Sequence, residues 1–282
     1  MRVHTGKPMG YGMRTALICH QGAVLDSEVL GRWLASFSDL AGIVILRESR
    51  TQLWHRIKRE WMRSGPWHFL DVLSFRVYCK LFLSRNDRKW EAHQLELFSQ
   101  RYPGIPRTTR FLHTASPNSA EAEQFLRELR PDVVLARCKS ILKEKIFTIP
   151  RAGTLVMHPG VCPEYRNAHG CFWALANRDL NNVGMTLLKV DKGVDTGPVY
   201  GYYSYEYDEQ NESHTVIQHR VVLENLDQLE KKFIEIAAGN ATTIDTSGRK
   251  SHTWGQPWLS RYLAWKAAAR KRTSEGTFDP IP

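Results

Sequence analysis

RTALICHQGAVLDSEVLGRWLASFSDLAGIVIL, running from Arg14 to Leu46, decides the fold. Arg14 to His20 is a short apolar run that stops at Gln21-Gly22, and Val29, Leu30, Trp33 and Leu34 then recur at helical spacing. Gly42 to Leu46 (GIVIL) is again short and apolar, as a strand buried on both faces must be. Strand, helix and strand in that order open a parallel sheet. The first turn lacks the G-x-G-x-x-G that cradles a dinucleotide pyrophosphate, which argues against a nicotinamide enzyme.

The same rhythm returns downstream. Ala122, Phe125, Leu126 and Leu129 share one face of a helix over Ala120 to Leu129, and Pro131 releases the chain into the strand Asp132-Val-Val-Leu-Ala. Lys143 to Phe147 reads as a short helix, and Gly153 to Met157 (GTLVM) as a strand delivering His158 at its carboxyl end. Phe172 to Ala176 is a helical turn, Gly184 to Val190 a strand, and Asp191 to Pro198 (DKGVDTGP) the loop leaving it. His158 and Asp195 thus both fall on strand-exit loops, and ligands of open α/β sheets bind at the carboxyl ends of the strands. A histidine and a carboxylate converging there make an acid/base pair.

The predicted fold class is α/β, a Rossmann-like open and mostly parallel sheet with helices on both faces, a helical insertion after the second strand and a small C-terminal α+β extension. Residues 1–12 read as a leader without an apolar signal core. The α/β domain spans 13–203, with the insertion at about 50–102, and the extension covers 204–282. In the insertion, Leu53, Trp54, Ile57 and Trp61 form one helical stripe, and Leu70, Leu73, Val77, Leu81 and Phe82 a second. Two readings compete: a helical hairpin that packs these stripes on the core with its charges solvated, or a basic aromatic clamp for an anionic substrate or RNA. Beyond it, Tyr202 to Tyr207 reads as a strand and Thr215 to Ala238 as a single amphipathic helix stopped by Gly239. The tail after Gly248 packs through Trp254, Trp258 and Trp265.

Of the 282 residues, 42% are hydrophobic and 24% charged. That is ordinary globular usage, and no apolar run reaches the ~18 residues that a membrane span requires. Five scattered cysteines without Cys-x-x-Cys spacing exclude a disulfide framework and a structural zinc, and fit a reducing cytoplasm. The formal net charge of +10 favours anionic partners by long-range attraction.

Within Gly153 to Tyr200 the string TLVMHPGVCPEYRNAHGCFWALANRDLNNVGMTLLKVDKGVDTGPVY resembles the folate-dependent formyltransferase family. In that family a strand ends in Asn-x-His-Pro, a loop carries Leu-Pro-x-Tyr-Arg-Gly, a helix an aromatic-Ala-Leu run and a later loop Asp-x-Gly-x-Asp-Thr-Gly. The resemblance implies 10-formyltetrahydrofolate as co-substrate and no metal. It makes His158 the proton acceptor and oxyanion stabiliser and Asp195 its orienting carboxylate. Leu135, Ala136, Arg137 and Cys138, with Val190, Asp191, Gly193 and Val194, would hold the pterin largely through backbone groups. Asp191, beside glycine, reads as a loop-shaping residue, and His169 and His214 stand outside the catalytic set.

One position departs from the pattern: Val156 occupies the place of the family's catalytic Asn. Losing an oxyanion donor of that kind costs about 10² to 10³ in rate unless it is replaced. Asn167, Asn182 and Arg137 are the candidate substitutes. The implied activity is formyl transfer to an amine on a small anionic substrate, a nucleotide-linked amino sugar first. The alternatives are a folate-dependent hydrolase or other one-carbon transferase, or a non-catalytic binding protein. Nucleic acid ranks behind a small molecule as partner, and a homodimer is left open.

Overall fold

The computed structural model describes residues 12–47 and 50–274; the side chains at 50–53, 55, 56, 59, 63, 64, 273 and 274 are outside the description, and so is the leader up to residue 11. β1 (Arg14–His20) leads through a π-helical turn (Leu25–Leu30) into α1 (Gly31–Phe37) and β2 (Asp39–Leu46), which pairs parallel to β1. The insertion is α2 (Arg50–Tyr78), a π-helical turn (Cys79–Leu83) and α3 (Ser84–Arg101). Then follow β3 (Arg110–Thr114), α4 (Ala120–Leu129), β4 (Val133–Arg137), α5 (Glu144–Phe147) and β5 (Gly153–His158). The two-residue β6 (Arg166–Asn167) precedes α6 (Gly170–Ala176), β7 (Met185–Lys189) and β8 (Val199–Tyr203). The chain continues as α7 (His214–Leu223), α8 (Leu226–Ala237), β9 (Thr253–Trp254) and α9 (Leu259–Ser274).

The sheet runs β3-β2-β1-β4-β5-β7-β8, parallel from β3 to β5 and antiparallel across β5, β7 and β8. The β-α-β opening and the predicted fold class are therefore present. Strand alternation sorts the two faces. Ala16, Ile18, Val134 and Ala136 pack with Phe125, Leu126, Ile146 and Phe147 of α4 and α5. Leu17, Leu135, Leu155 and Met157 pack with Trp33 and Phe37 of α1, with Phe172, and with Ile217, Leu229 and Phe233 of α7 and α8. The segment after Tyr203 thus shares the sheet's core.

Three expectations are corrected. The helix expected over Thr215 to Ala238 is two helices, because Asn225 interrupts the turn and its side-chain amide donates to the Ser204 and Val221 carbonyls at 3.0 and 2.8 Å. The strand expected at Tyr202 to Tyr207 is Val199–Tyr203. In the insertion, Leu70, Leu73, Val77, Leu81 and Phe82 are exposed rather than packed, while Val72 and Phe75 are the buried positions among the described side chains of α2. No helix among the described residues is long and apolar enough to cross a membrane.

Candidate active site

β5 ends at His158 and places Thr154, Val156 and His158 on the α4/α5 face. The His158 ring is buried, with Nε2 2.7 Å from the Tyr165 carbonyl oxygen and Nδ1 3.4 Å from Asp195 Oδ2. A carbonyl can only accept, so it fixes the ring proton on Nε2 and leaves the Nδ1 lone pair toward the carboxylate side. In the neutral ring, the nitrogen beside Asp195 is therefore the one free to take a proton.

Asp195 arrives by a route the sequence does not show. Both residues are expected at the carboxyl end of a parallel sheet, yet β7 runs antiparallel to β5, pairing His158 with Thr186 and Leu155 with Lys189. The loop after β7 therefore starts at the far end of the sheet and must double back. Val190 N–H donates to the Thr154 carbonyl at 2.8 Å, and Lys189 N–H to the Pro198 carbonyl at 2.9 Å. Asp191 ties the return, accepting from Gly193 N–H at 2.9 Å and from the Thr196 hydroxyl at 2.8 Å. Gly197 has no room for a side chain there, since a Cβ would fall 1.9 Å from the Lys189 carbonyl oxygen. Asp195 sits at the bend with φ of 51° and Oδ2 accepting from Asn167 N–H at 2.8 Å.

A second group of residues, to which the sequence gives no such role, holds the His158 partners in place. Arg166 and Asn167 form a parallel bridge with Thr253 and Trp254. Trp254 stacks on Tyr165 and Trp173 and donates from Nε1 to the Glu164 carbonyl at 2.9 Å. Arg166 donates to the Val194 carbonyl at 3.0 Å, joining this loop to the one bearing Asp195. The buried Thr186 hydroxyl donates to the Gly160 carbonyl at 2.7 Å and accepts from Cys162 N–H at 2.9 Å. Gly160 and Gly170 meet backbone to backbone: a Cβ on Gly160 would lie 2.6 Å from the Tyr165 oxygen and 2.9 Å from His158 Nε2.

The side chains expected from the sequence to substitute for an amide at Val156 make other hydrogen bonds. Asn167 donates its amide to the Trp254 carbonyl at 2.5 Å, and Asn182 donates to Asp179 at 2.9 Å. Arg137 lies on the opposite face of the sheet from Val156, where Nε donates to Asp26 Oδ1 at 2.9 Å and Nη1 to the Met157 carbonyl at 2.5 Å. Of the residues assigned to the pterin, Ala136, Cys138 and Val190 share an apolar cluster with Val156, Leu142 and Ile146 on the His158 face. Leu135 faces the other core, and the Val194 carbonyl is taken by Arg166. Among the described residues no group of three or more His, Cys, Asp or Glu could hold a metal ion. His169 and His214 lie 6.1 Å apart, each with an Nδ1 that lacks a hydrogen-bond partner. Burial, with help from the charges of Lys139 and Arg76, pushes His169 down to about 4; burial, with His169, Lys266 and His219 nearby, pushes His214 to about 3. Both rings are neutral near pH 7.

Residues 83–229 match the model of the formyl transferase family. The chain belongs to that family. Among curated formyl transferases it is 34% identical over 128 residues to the methionyl-tRNA formyltransferase of Thermotoga maritima, a match covering 45% of this chain and 36% of the relative. With the methionyl-tRNA formyltransferase of Dehalococcoides mccartyi strain CBDB1 it shares 42% over 81 residues, covering 28% and 26%. The matches thus span about a third or less of the curated relatives' length. Two solved formyl transferases share the fold. A sugar N-formyltransferase from Shewanella superposes with a TM-score of 0.53 at 13% identity, covering 91% of this chain and 87% of its own. A phosphoribosylglycinamide formyltransferase from Anaplasma phagocytophilum gives 0.51 at 15%, covering 86% and 100%.

Proposed function

We propose that this formyl transferase moves the formyl group of 10-formyltetrahydrofolate to an amine on a small anionic substrate, a nucleotide-linked amino sugar being the first candidate. The observation that carries the reading is the His158 ring held between the Tyr165 carbonyl and the Asp195 carboxylate. The partly exposed apolar side chains of Cys138, Val156 and Val190, which share one cluster, suit the face of a flat heterocycle, and the net charge of +10 suits an anionic acceptor.

The chemistry follows from which nitrogen is open. The amine attacks the formyl carbon and loses a proton to His158 Nδ1, and the resulting imidazolium is stabilised by Asp195. The same N–H then faces the tetrahedral oxygen, taking the charge-stabilising role that Val156 cannot fill. When the bond from carbon to N10 breaks, the proton passes from the imidazolium to the departing nitrogen. The products are a formamide and tetrahydrofolate, and His158 is neutral again. Tyr165, Asn167 and Trp254 act by holding the pair in register.

The test is release of tetrahydrofolate by the purified chain, with and without amino-sugar nucleotides and other anionic amines. Amine-dependent release with formation of the formamide supports the reading. Release that no amine accelerates favours a second one, a folate-dependent hydrolase, whose specific support is the absent amide at Val156.

A further inference from the structure

α2 has two apolar faces, and only one of them is packed. Val72 and Phe75 are buried, and Phe75 meets Phe172, His214 and Tyr262. Asp71 accepts from Ser260 N–H at 3.0 Å and His68 stacks on Trp258, so this side of the helix is fixed to α9. On the other side Trp67, Leu70, Leu73 and Val77, continued by Leu81 in the π-helical turn, follow at steps of three and four, and all five are 47–81% exposed. At 1.5 Å per residue they form a stripe about 21 Å long. A continuous apolar stripe of that kind on a surface marks a contact site.

The surroundings of the stripe select its occupant. Residues 50–101 carry eleven Lys and Arg against five Asp and Glu, so more than half of the protein's +10 excess resides in this insertion. Lys58, Arg76, Lys80, Arg85, Arg88 and Lys89 are all exposed. A second copy of the chain would bring the same cations against these. RNA would meet mainly leucine and valine, with Trp67 the one ring of the stripe, too few for a run of stacked bases. Aliphatic and Trp side chains flanked by cations on an anchored helix match the boundary of a bilayer, where acyl chains take the apolar stripe and lipid phosphates take the cations.

We propose that the exposed face of α2 and of the π-helical turn after it, from Trp67 to Leu81, seats the enzyme on the surface of a membrane that carries anionic phospholipid, without crossing it. The active site lies elsewhere on the molecule, so this binding is independent of the formyl-transfer reading and survives its failure.

The experiment is co-sedimentation of the intact chain with vesicles of phosphatidylcholine alone and of phosphatidylcholine with about one-third phosphatidylglycerol. Binding is expected to the anionic vesicles, weakening as salt is raised. The combined variant Leu70→Ser, Leu73→Ser, Val77→Ser and Leu81→Ser is expected to lose about tenfold or more in affinity while staying folded, because none of these side chains belongs to a buried core cluster. Arg76→Glu with Lys80→Glu is expected to remove the preference for anionic lipid. Equal binding to both vesicles, no binding to either, or undiminished binding by the serine variant overturns the proposal. So does a concentration-dependent dimer or a salt-sensitive RNA complex that the serine variant abolishes while vesicle binding persists.

Discussion

Arg137 Nη1 donates to the carbonyl of Met157 at 2.5 Å, so a guanidinium from β4 grips the backbone of β5 one residue before His158. Its Nε is held by Asp26 from the turn after β1, and both side chains of this ion pair are almost fully buried. The site histidine is thereby fixed to β4 and to the π-helical turn after β1. Arg137→Met would strand the Asp26 charge in the interior, and loss of one partner of a buried pair costs about 3–5 kcal/mol. Arg137→Met combined with Asp26→Leu removes both charges and is expected to recover much of that stability. Urea unfolding of the four proteins of this cycle checks it, and a double variant no more stable than the single one contradicts the assignment.

Gly160→Ala probes the close approach behind the site. The new methyl would sit 2.6 Å from the Tyr165 oxygen and 2.8 Å from the Gly170 backbone, so the loop must move by about the amount that separates a hydrogen bond from a contact. The expected cost is about 1–3 kcal/mol of stability, together with a fall in kcat larger than any change in KM. Thermal melts and steady-state kinetics separate the two. Unaltered turnover would mean that the distance from His158 to Tyr165 does not matter to the reaction.

Stability should fall below neutral pH because of His169 and His214. Both folded pKa values, about 4 and about 3, lie below the ordinary 6.5. The unfolded chain therefore binds protons that the native one refuses as pH drops below about 6.5, and stability declines until the folded values are reached. Each histidine contributes at most about 1.4 kcal/mol per pH unit in that window. Urea unfolding at pH 7.5 and 5 measures the slope. His169→Gln should flatten it, and a parent protein equally stable at both pH values refutes the neutral pair.

The strand-helix rhythm of Arg14 to Leu46 and of Ala120 to His158 was legible because each strand there is buried on both faces and each helix shows one apolar stripe. The family motif located His158 and Asp195, but their meeting was legible only as a resemblance. Nothing in Asp191 to Pro198 reveals that β7 is antiparallel and that its loop must return along the sheet. Periodicity found the stripe of Leu70, Leu73, Val77 and Leu81 correctly as a helical face. It could not say which way that face points, since a stripe facing the core and one facing outward have the same spacing. The sequence marks Trp254 only as a packing residue, because its hold on the loop of Tyr165 depends on a contact across 90 residues of chain.

Val156 points to the same side of β5 as His158, so an amide introduced there faces the reacting groups. Val156→Asn is expected to raise kcat by about tenfold or more, up to the ~10² that a single oxyanion donor supplies. The swap exchanges a half-buried apolar contact with Ala136 and Leu188 for a polar group, at a cost of roughly 1–2 kcal/mol. Single-turnover kinetics of formyl transfer read the gain. A slower variant would show that His158 already provides the stabilisation and that the pocket is shaped around valine.

Formyl transfer by this route requires His158 Nδ1 as the proton acceptor, and amine-dependent release of tetrahydrofolate by His158→Asn and Asp195→Asn tests that requirement most directly. Loss of His158 should remove at least ~10³ of the rate while the protein still folds and binds the folate, and loss of Asp195 about 10². A His158→Asn protein that transfers formyl groups within about tenfold of the parent rate would contradict it.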